Sequence, residues 1–311
     1  MLLRVSSREE ETRLLDSPPV MIEPQRKIDL HCPRGWNQCT TWELEQIAAA
    51  LLLETAKADR YHPFDMLEVK LKAFLAINRL EVIEPTEEGF LVRIVAERKH
   101  WWQRKKQNEP FQITTGHLHA IIDEHMGWLD DDKAEPLLKP PYEGIAPLMD
   151  GVSWERYRLM QDWMTAYTEA SNRLIKLSQQ SRNVAAIADQ ASKVKQAQRE
   201  FLSQLLPQNN SHSTKNEDVK WQVILFWWSG LMKYLQRQYP RCFKEPSKKG
   251  AKPKRSNPLE LYTRTTATME KYLGLNEQEV NQQSAHVVLQ HLEDMAREAE
   301  EMKKIQQKHH K

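Results

Sequence analysis

The stretch VKWQVILFWWSGLMKYLQRQYP, Val219–Pro240, decides the fold. It carries Trp221, Trp227 and Trp228, and no other part of the chain is as apolar. At helical spacing Trp221, Ile224, Leu225, Trp228, Leu231, Met232 and Leu235 share one broad face. Val223, Phe226, Trp227 and Tyr234 widen that face until little of the first three turns stays polar. A helix apolar over so much of its circumference needs cover on several sides, which places it at the centre of a helical bundle. Its unbroken apolar run is only Val223–Trp228, with Lys220, Lys233 and Arg237 close by. That falls well short of the roughly 20 residues a bilayer span requires, so no membrane partner is expected.

Amphipathic segments flank this helix on both sides. Before it, Ser153 is a good N-cap for a helix carrying Trp154, Tyr157, Met160, Trp163, Met164 and Tyr167, expected to run through Leu177 and to falter over Gln179–Asn183. Ile187, Val194, Ala197, Phe201 and Leu205 mark a second helix that ends before Pro207. After it, Lys244–Asn257 (KEPSKKGAKPKRSN) has too few apolar residues to offset its ordering entropy and reads as a disordered loop. Asn257 and Pro258 restart a helix with Leu259, Tyr262, Met269, Tyr272 and Leu273, and Gly274 is placed as its C′ glycine. Asn276 and Glu279 form a capping pair that opens a C-terminal helix. Its seam is Val280, Ser284, Val287, Val288, His291, Leu292, Met295, Ala299 and Met302, and its charged face includes Glu293, Arg297, Glu298 and Lys303.

The N-terminal part has a mixed pattern. Thr40 and Glu43 have capping-box spacing ahead of the stripe Leu44, Ile47, Ala48, Leu51 and Leu52. A second helix is expected after Pro63, a favoured first-turn residue, with Phe64, Leu67, Leu71, Phe74 and Leu75 inside. Leu80–Ile83 and Phe90–Val95, joined by a turn at Pro85–Gly89, predict a hairpin, with Lys27–His31 as a third strand. Thr114 or Thr115 caps a short helix whose inner face is Leu118, Ile121, Ile122 and His125. The expected fold is therefore mainly α, a multi-helix bundle with a small β-element in the N-terminal part. The expected segmentation is a flexible arm over 1–26, an α+β subdomain over 27–129 and an irregular proline-rich linker over 130–152. A helical domain follows over 153–243, then the basic loop 244–257 and the C-terminal helices 258–311.

Composition narrows the function. Hydrophobic residues at 40% can build a core, while 28% charged residues and a mean hydropathy of -0.71 indicate a large solvated surface. Nine glycines, with neither G-x-x-x-x-G-K nor G-x-G-x-x-G among them, give no phosphate-cradling loop. A net charge of +2 gives no global pull towards nucleic acid. The three cysteines, Cys32, Cys39 and Cys242, suit a reducing compartment. A cytosolic protein is expected.

No catalytic constellation is legible. Cys32 and Cys39 have His31 beside them and His62 and His100 at a distance, but no second pair completes a zinc pattern, so free thiols are expected. His117 and His119 point to opposite sides of a helix, and general acid–base partners are missing around His125, Asp123 and Glu124. We therefore expect no catalytic residue, no cofactor and no metal. The basic elements carry more information. Arg98, Lys99, Arg104, Lys105 and Lys106 surround Trp101 and Trp102, a combination that can hold phosphates and stack on bases. Lys248, Lys249, Lys252, Lys254 and Arg255 add charge in the loop after the tryptophan helix. Both segments are candidates for nucleic-acid binding. On the C-terminal helix, Val287, Leu292, Met295 and Met302 are candidates for binding a protein partner.

Several pieces together resemble a known group of proteins. They are PRGWNQCTTWELEQIAAALL (Pro33–Leu52), ITTGHL (Ile113–Leu118), GVSWERYRLMQDWMTAY (Gly151–Tyr167), WWSGLMKYLQRQYPRCF (Trp227–Phe243) and MEKYLGLNEQEVNQQSAHVVLQHLEDMAREAEE (Met269–Glu301). Their order is similar to that of phage and prophage late-gene proteins of Bacteroidetes genomes, which look like tail-assembly, tape-measure-associated chaperones. Here the region after Tyr167 is longer and richer in glutamine, and the Lys244–Asn257 loop is longer. The resemblance implies a non-enzymatic role in the bacterial host cytosol. The partner it implies is an elongated structural protein, a tape-measure or tail protein, bound during assembly of a tail or related injection machine.

Overall fold

The computed structural model describes residues 30–58, 62–95, 109–180, 183–206, 216–243 and 258–309, with side chains from 265 to 307 in the last segment. Nine α-helices and one three-stranded antiparallel sheet lie among them, so the protein is mainly α with a small N-terminal sheet. The chain divides into two compact units between Glu135 and Pro136.

In the first unit, α1 (Thr41–Lys57) begins with the capping box: Glu43 N–H donates to Thr40 Oγ1 at 3.3 Å, and the Thr40 N–H donates to Glu43 Oε2 at 2.7 Å. These contacts satisfy two amides that the first helical turn leaves without partners. Helix α2 (Met66–Ile77) starts later than Pro63 suggested, because Asp65 caps it by accepting from Leu67 N–H at 2.9 Å. Its inner face also differs from the expected one. Val69, Ala73, Phe74 and Ile77 are buried, whereas Phe64 and Leu67 are exposed.

The expected hairpin forms from β1 (Leu80–Thr86) and β2 (Gly89–Ile94), but Pro85, Thr86 and Gly89 are paired and the turn narrows to Glu87 and Glu88, with a register irregularity between Val82 and Glu84. Its third strand is β3 (Phe111–Thr114), paired antiparallel with β2, rather than Lys27–His31. His31 lies outside any strand. Its N–H and C=O are instead taken by the Asn78 side chain, at 2.7 and 2.9 Å; residues 27–29 fall outside the described residues. Gly89 is required by this sheet, since a methyl group there would overlap the Ile113 carbonyl oxygen. Helix α3 (Thr115–Met126) is capped by Thr114 and buries the expected Leu118, Ile121, Ile122 and His125.

In the second unit, α4 (Trp154–Gln180) and α5 (Val184–Leu205) pack as an antiparallel hairpin around the break at Asn183, which caps α5 through Ala186 N–H at 3.1 Å. Helix α6 (Glu217–Gln238) is the tryptophan helix; Trp221, Ile224, Trp228, Leu231 and Leu235 of the expected face are buried together with Val223 and Trp227, while Leu225 and Met232 are half-buried. Trp221 meets Tyr167 of α4 edge-on at 4.9 Å and Phe201 of α5 at 5.5 Å; Trp228 meets the same Phe201 at 5.1 Å. Such T-shaped contacts add to the stabilisation from burial.

The irregular stretch after Pro136 belongs to this core. Leu137, Ile145, Met149 and Val152 are all buried, and the Leu137 backbone rests on Gly230 of α6, where a side chain would have no room. Helices α7 (Pro258–Leu273), α8 (Glu277–Gln282) and α9 (Ala285–His309) complete the unit. The capping box at Asn276 and Glu279 forms, but it opens only the six residues of α8. A one-residue antiparallel bridge between Ser153 and Ser284 breaks the expected C-terminal helix there: Trp154 N–H donates to Gln283 C=O at 2.7 Å and Ala285 N–H to Val152 C=O at 2.9 Å. No helix among the described residues is long and apolar enough to cross a membrane.

Candidate interaction surface

Helix α9 changes character along its length. Its first turns are held in the core by Ala285, Val288 and Leu289. His286 ties the same end down. Its Nε2 lies 2.6 Å from the Leu148 carbonyl and its Nδ1 lies 3.0 Å from Tyr239 Oη. A carbonyl only accepts, so Nε2 carries the hydrogen and Nδ1 accepts from the tyrosine hydroxyl.

Two turns later stands Glu293. Its place on the charged face of the helix suggested a solvated residue, but it is 6% exposed. The hydrogen bonds that the chain turn after α6 supplies explain the difference. Arg241 N–H and Cys242 N–H donate to Glu293 Oε2 at 2.8 and 3.2 Å, and the Arg241 guanidinium donates to Oε1 at 2.9 Å. Arg241 Nε also reaches Glu300 Oε2 at 3.1 Å. Burial alone would raise the Glu293 pKa, but the Arg241 side chain and the two backbone donors outweigh it and hold the carboxyl below its ordinary range. The neighbouring Cys242 thiol is pushed up to about 12 by burial and then by the Glu293 charge.

Beyond this clamp the helix loses its cover. From Arg297 to Gln307 every residue except Glu300 is exposed. Met302 is 58% and Ile305 51% exposed, in line with the half-buried Met295 and Leu292. Of the four residues proposed from sequence to contact a partner, Leu292, Met295 and Met302 thus form one strip. Val287 is also exposed, at 41%, nearer the start of the helix. Ile305 was missed because the tail around it is strongly polar; its spacing of three from Met302 was the available signal.

The other candidates are distributed as follows. Arg98, Lys99, Trp101, Trp102, Arg104, Lys105 and Lys106 lie outside the described residues, as do Lys248, Lys249, Lys252, Lys254 and Arg255. In the first unit the cysteines are separately engaged: Cys32 Sγ faces the His125 carbonyl at 3.8 Å and Cys39 Sγ the Gly35 carbonyl at 3.5 Å. His31 Nε2 sits 2.8 Å from Glu43 Oε1, while His117 and His119 are exposed on α3. Among the described residues no three His, Cys, Asp or Glu side chains are grouped to hold a metal ion. Burial pushes the Cys32 thiol up to about 11, which keeps it protonated and poorly nucleophilic at neutral pH.

Comparison of the chain with protein-family models, with curated proteins and with solved structures finds no match.

Proposed function

We propose that the chain is a non-enzymatic assembly factor that uses the outer half of α9 to hold an amphipathic helix of a structural protein partner. The observation that carries this reading is the strip Leu292–Met295–Met302–Ile305, which emerges from a well-packed core on a helix anchored by Glu293 and Arg241. A well-anchored helix with an exposed apolar strip spaced by three and seven residues presents contacts of the kind that a partner helix buries. Methionines in the strip adapt to different partner surfaces. The sequence resemblance supplies the setting: assembly of a phage tail or related injection machine, with a tape-measure or tail protein as partner, in the host cytosol.

Co-expression with the elongated protein encoded downstream tests the reading. The wild-type chain should keep that protein soluble and co-purify with it. The double variant Met302→Lys, Ile305→Lys should lose at least about tenfold in affinity, since each side chain forfeits on the order of 1–2 kcal/mol of burial. Its melting temperature should not move, because both positions are exposed. Unchanged capture by that variant would refute the assignment of the strip. The basic segments around Trp101 and over Lys248–Arg255 support the alternative, a nucleic-acid-binding accessory protein. Its mark would be DNA affinity that falls steeply with salt and disappears on charge reversal at Lys248, Lys249 and Lys252.

A further inference from the structure

The first unit contains a concavity of about 360 Å³, lined by Arg34, Glu124, His125, Gly127 and Trp128. That volume is within the range of roughly 300–1,000 Å³ typical of small-ligand sites. The loop from Cys32 to Gln38 forms one wall and the C-terminal turn of α3 the other. Trp128 locks them together: its indole N–H is shared between the carbonyls of Pro33 and His125, both at 2.9 Å. Trp36 meets the Trp128 ring edge-on at 4.9 Å, fixing the plane of the indole. The concavity is thus held by the long-range hydrogen bond from Trp128 to Pro33 and by ring packing.

Its polar groups are arranged unlike those of a packed interior. His125 is only 6% exposed, and its Nε2 makes no hydrogen bond. A buried ring nitrogen left that way has lost its water without gaining a partner. The Glu124 carboxylate lies 3.3 Å from that nitrogen, but its side chain is 73% exposed and free to swing into solvent. Arg34 is exposed on the opposing loop, and its guanidinium enters no ion pair among the described residues. The cavity therefore presents a guanidinium and an imidazole nitrogen without a hydrogen bond beside a fixed aromatic ring, with an exposed carboxylate at its edge. The Cys32 thiol behind His125 is held protonated by burial and supplies no nucleophile to the cavity.

From this we propose that the concavity binds a small organic anion carrying a flat ring. The anionic oxygens displace the Glu124 carboxylate and bridge Arg34 and His125 Nε2, and the ring lies against Trp128. A phosphate monoester and an aromatic carboxylate share this chemistry; adenosine monophosphate and benzoate represent the two. Both rim residues are exposed, so Arg34→Ala and Glu124→Gln leave the fold intact, which circular dichroism verifies.

Calorimetric titration of the full chain with adenosine monophosphate, benzoate and inorganic phosphate tests the site. One or both ring-bearing probes should bind, more tightly than phosphate alone, and the better of the two identifies the headgroup. Arg34→Ala should weaken binding at least about tenfold, the scale of one charge-assisted hydrogen bond. Glu124→Gln should act in the opposite direction and tighten it several-fold, because it removes the competing charge. No heat from either ring-bearing probe at ~5 mM, the weak end of specific binding, would overturn the proposal. So would affinity that neither variant changes. The outcome is independent of capture by α9, which is read with a different ligand on the other unit.

Discussion

Replacing Gly230 by alanine sets two known effects against each other. In the interior of α6 an alanine is favoured over glycine by about 1 kcal/mol, because glycine loses more backbone freedom on folding. On that basis alone Gly230→Ala stabilises. The surroundings reverse the sign. A methyl group at this position would overlap the carbonyl oxygen of Leu137 and come within 3.0 Å of its carbonyl carbon and its nitrogen, where ordinary contact begins at 3.4 Å. The obstacle is backbone, and it cannot rotate away as a side chain does. Leu137 is itself 2% exposed, so the strand of chain that must move is seated in the core. Overpacking of this kind costs typically 1–3 kcal/mol; with three backbone atoms involved the upper half of that range applies. Subtracting the propensity gain leaves a net loss of about 1–2 kcal/mol. In a unit of this size that lowers the melting temperature by roughly 2–4 °C per kcal/mol. Because the chain has two compact units, a single melting curve can blend two transitions. Hydrogen exchange resolved to peptides of α6 and of the Leu137 segment reads the affected unit directly, and both should exchange faster. Gly116→Ala is the matched control: nothing lies within 4 Å of its added methyl, so it should be neutral or stabilising. If Gly230→Ala is as stable as the parent, the Leu137 segment does not lie on α6 and the architecture of the second unit is wrong.

The other predictions concern charge and thiol chemistry. Glu293 has a depressed pKa in the folded chain, so its contribution is fully present above the ordinary value of 4.5 and is lost as pH falls through the lower, folded value. Acid titration followed by hydrogen exchange of α9 should show opening below about pH 4.5, and Arg241→Ala, which removes the stabilising partner, should flatten that dependence. A steeper acid response in Arg241→Ala would contradict the clamp. Cys32 and Cys242, with thiols held high by burial, should resist iodoacetamide at pH 8 in the native chain and react in urea, as followed by mass spectrometry. Glu293→Gln should speed alkylation of Cys242 and leave Cys32 unaffected; equal rates at Cys242 would show that the Glu293 charge is not felt there.

What the sequence revealed was local chemistry. Capping boxes at Thr40–Glu43 and Asn276–Glu279 are short-range hydrogen-bond patterns, and both form as spaced. The tryptophan helix could be placed at the centre because no amphipathic surface position tolerates so many large apolar groups. What stayed hidden was set by residues distant in sequence. The face of α2 that is buried, Val69, Ala73, Phe74 and Ile77, is chosen by what packs against it rather than by its own spacing. Phe111–Thr114 became a strand because β2 had a free edge, which four residues of sequence cannot announce. Glu293 looked like surface because its partners, Arg241 and the backbone beside it, come from another part of the chain. In the same way Arg34 and His125 line one concavity because the Trp128 indole joins a loop to a helix end. Neither residue shows any periodicity that would bring them together.

The Ser153–Ser284 bridge has a consequence for the order in which the protein is made. It joins the starts of α4 and α9 across some ~130 residues of chain, and loops of that size are entropically costly to close before other contacts exist. The Trp154 amide at the head of α4 has to wait for Gln283 to be synthesised before it meets its acceptor. During translation the first unit can therefore finish folding while the second is still an open set of helices with exposed tryptophans. For a protein whose work is proposed to be the sheltering of other chains, α6 is the part of its own chain most in need of shelter as it emerges.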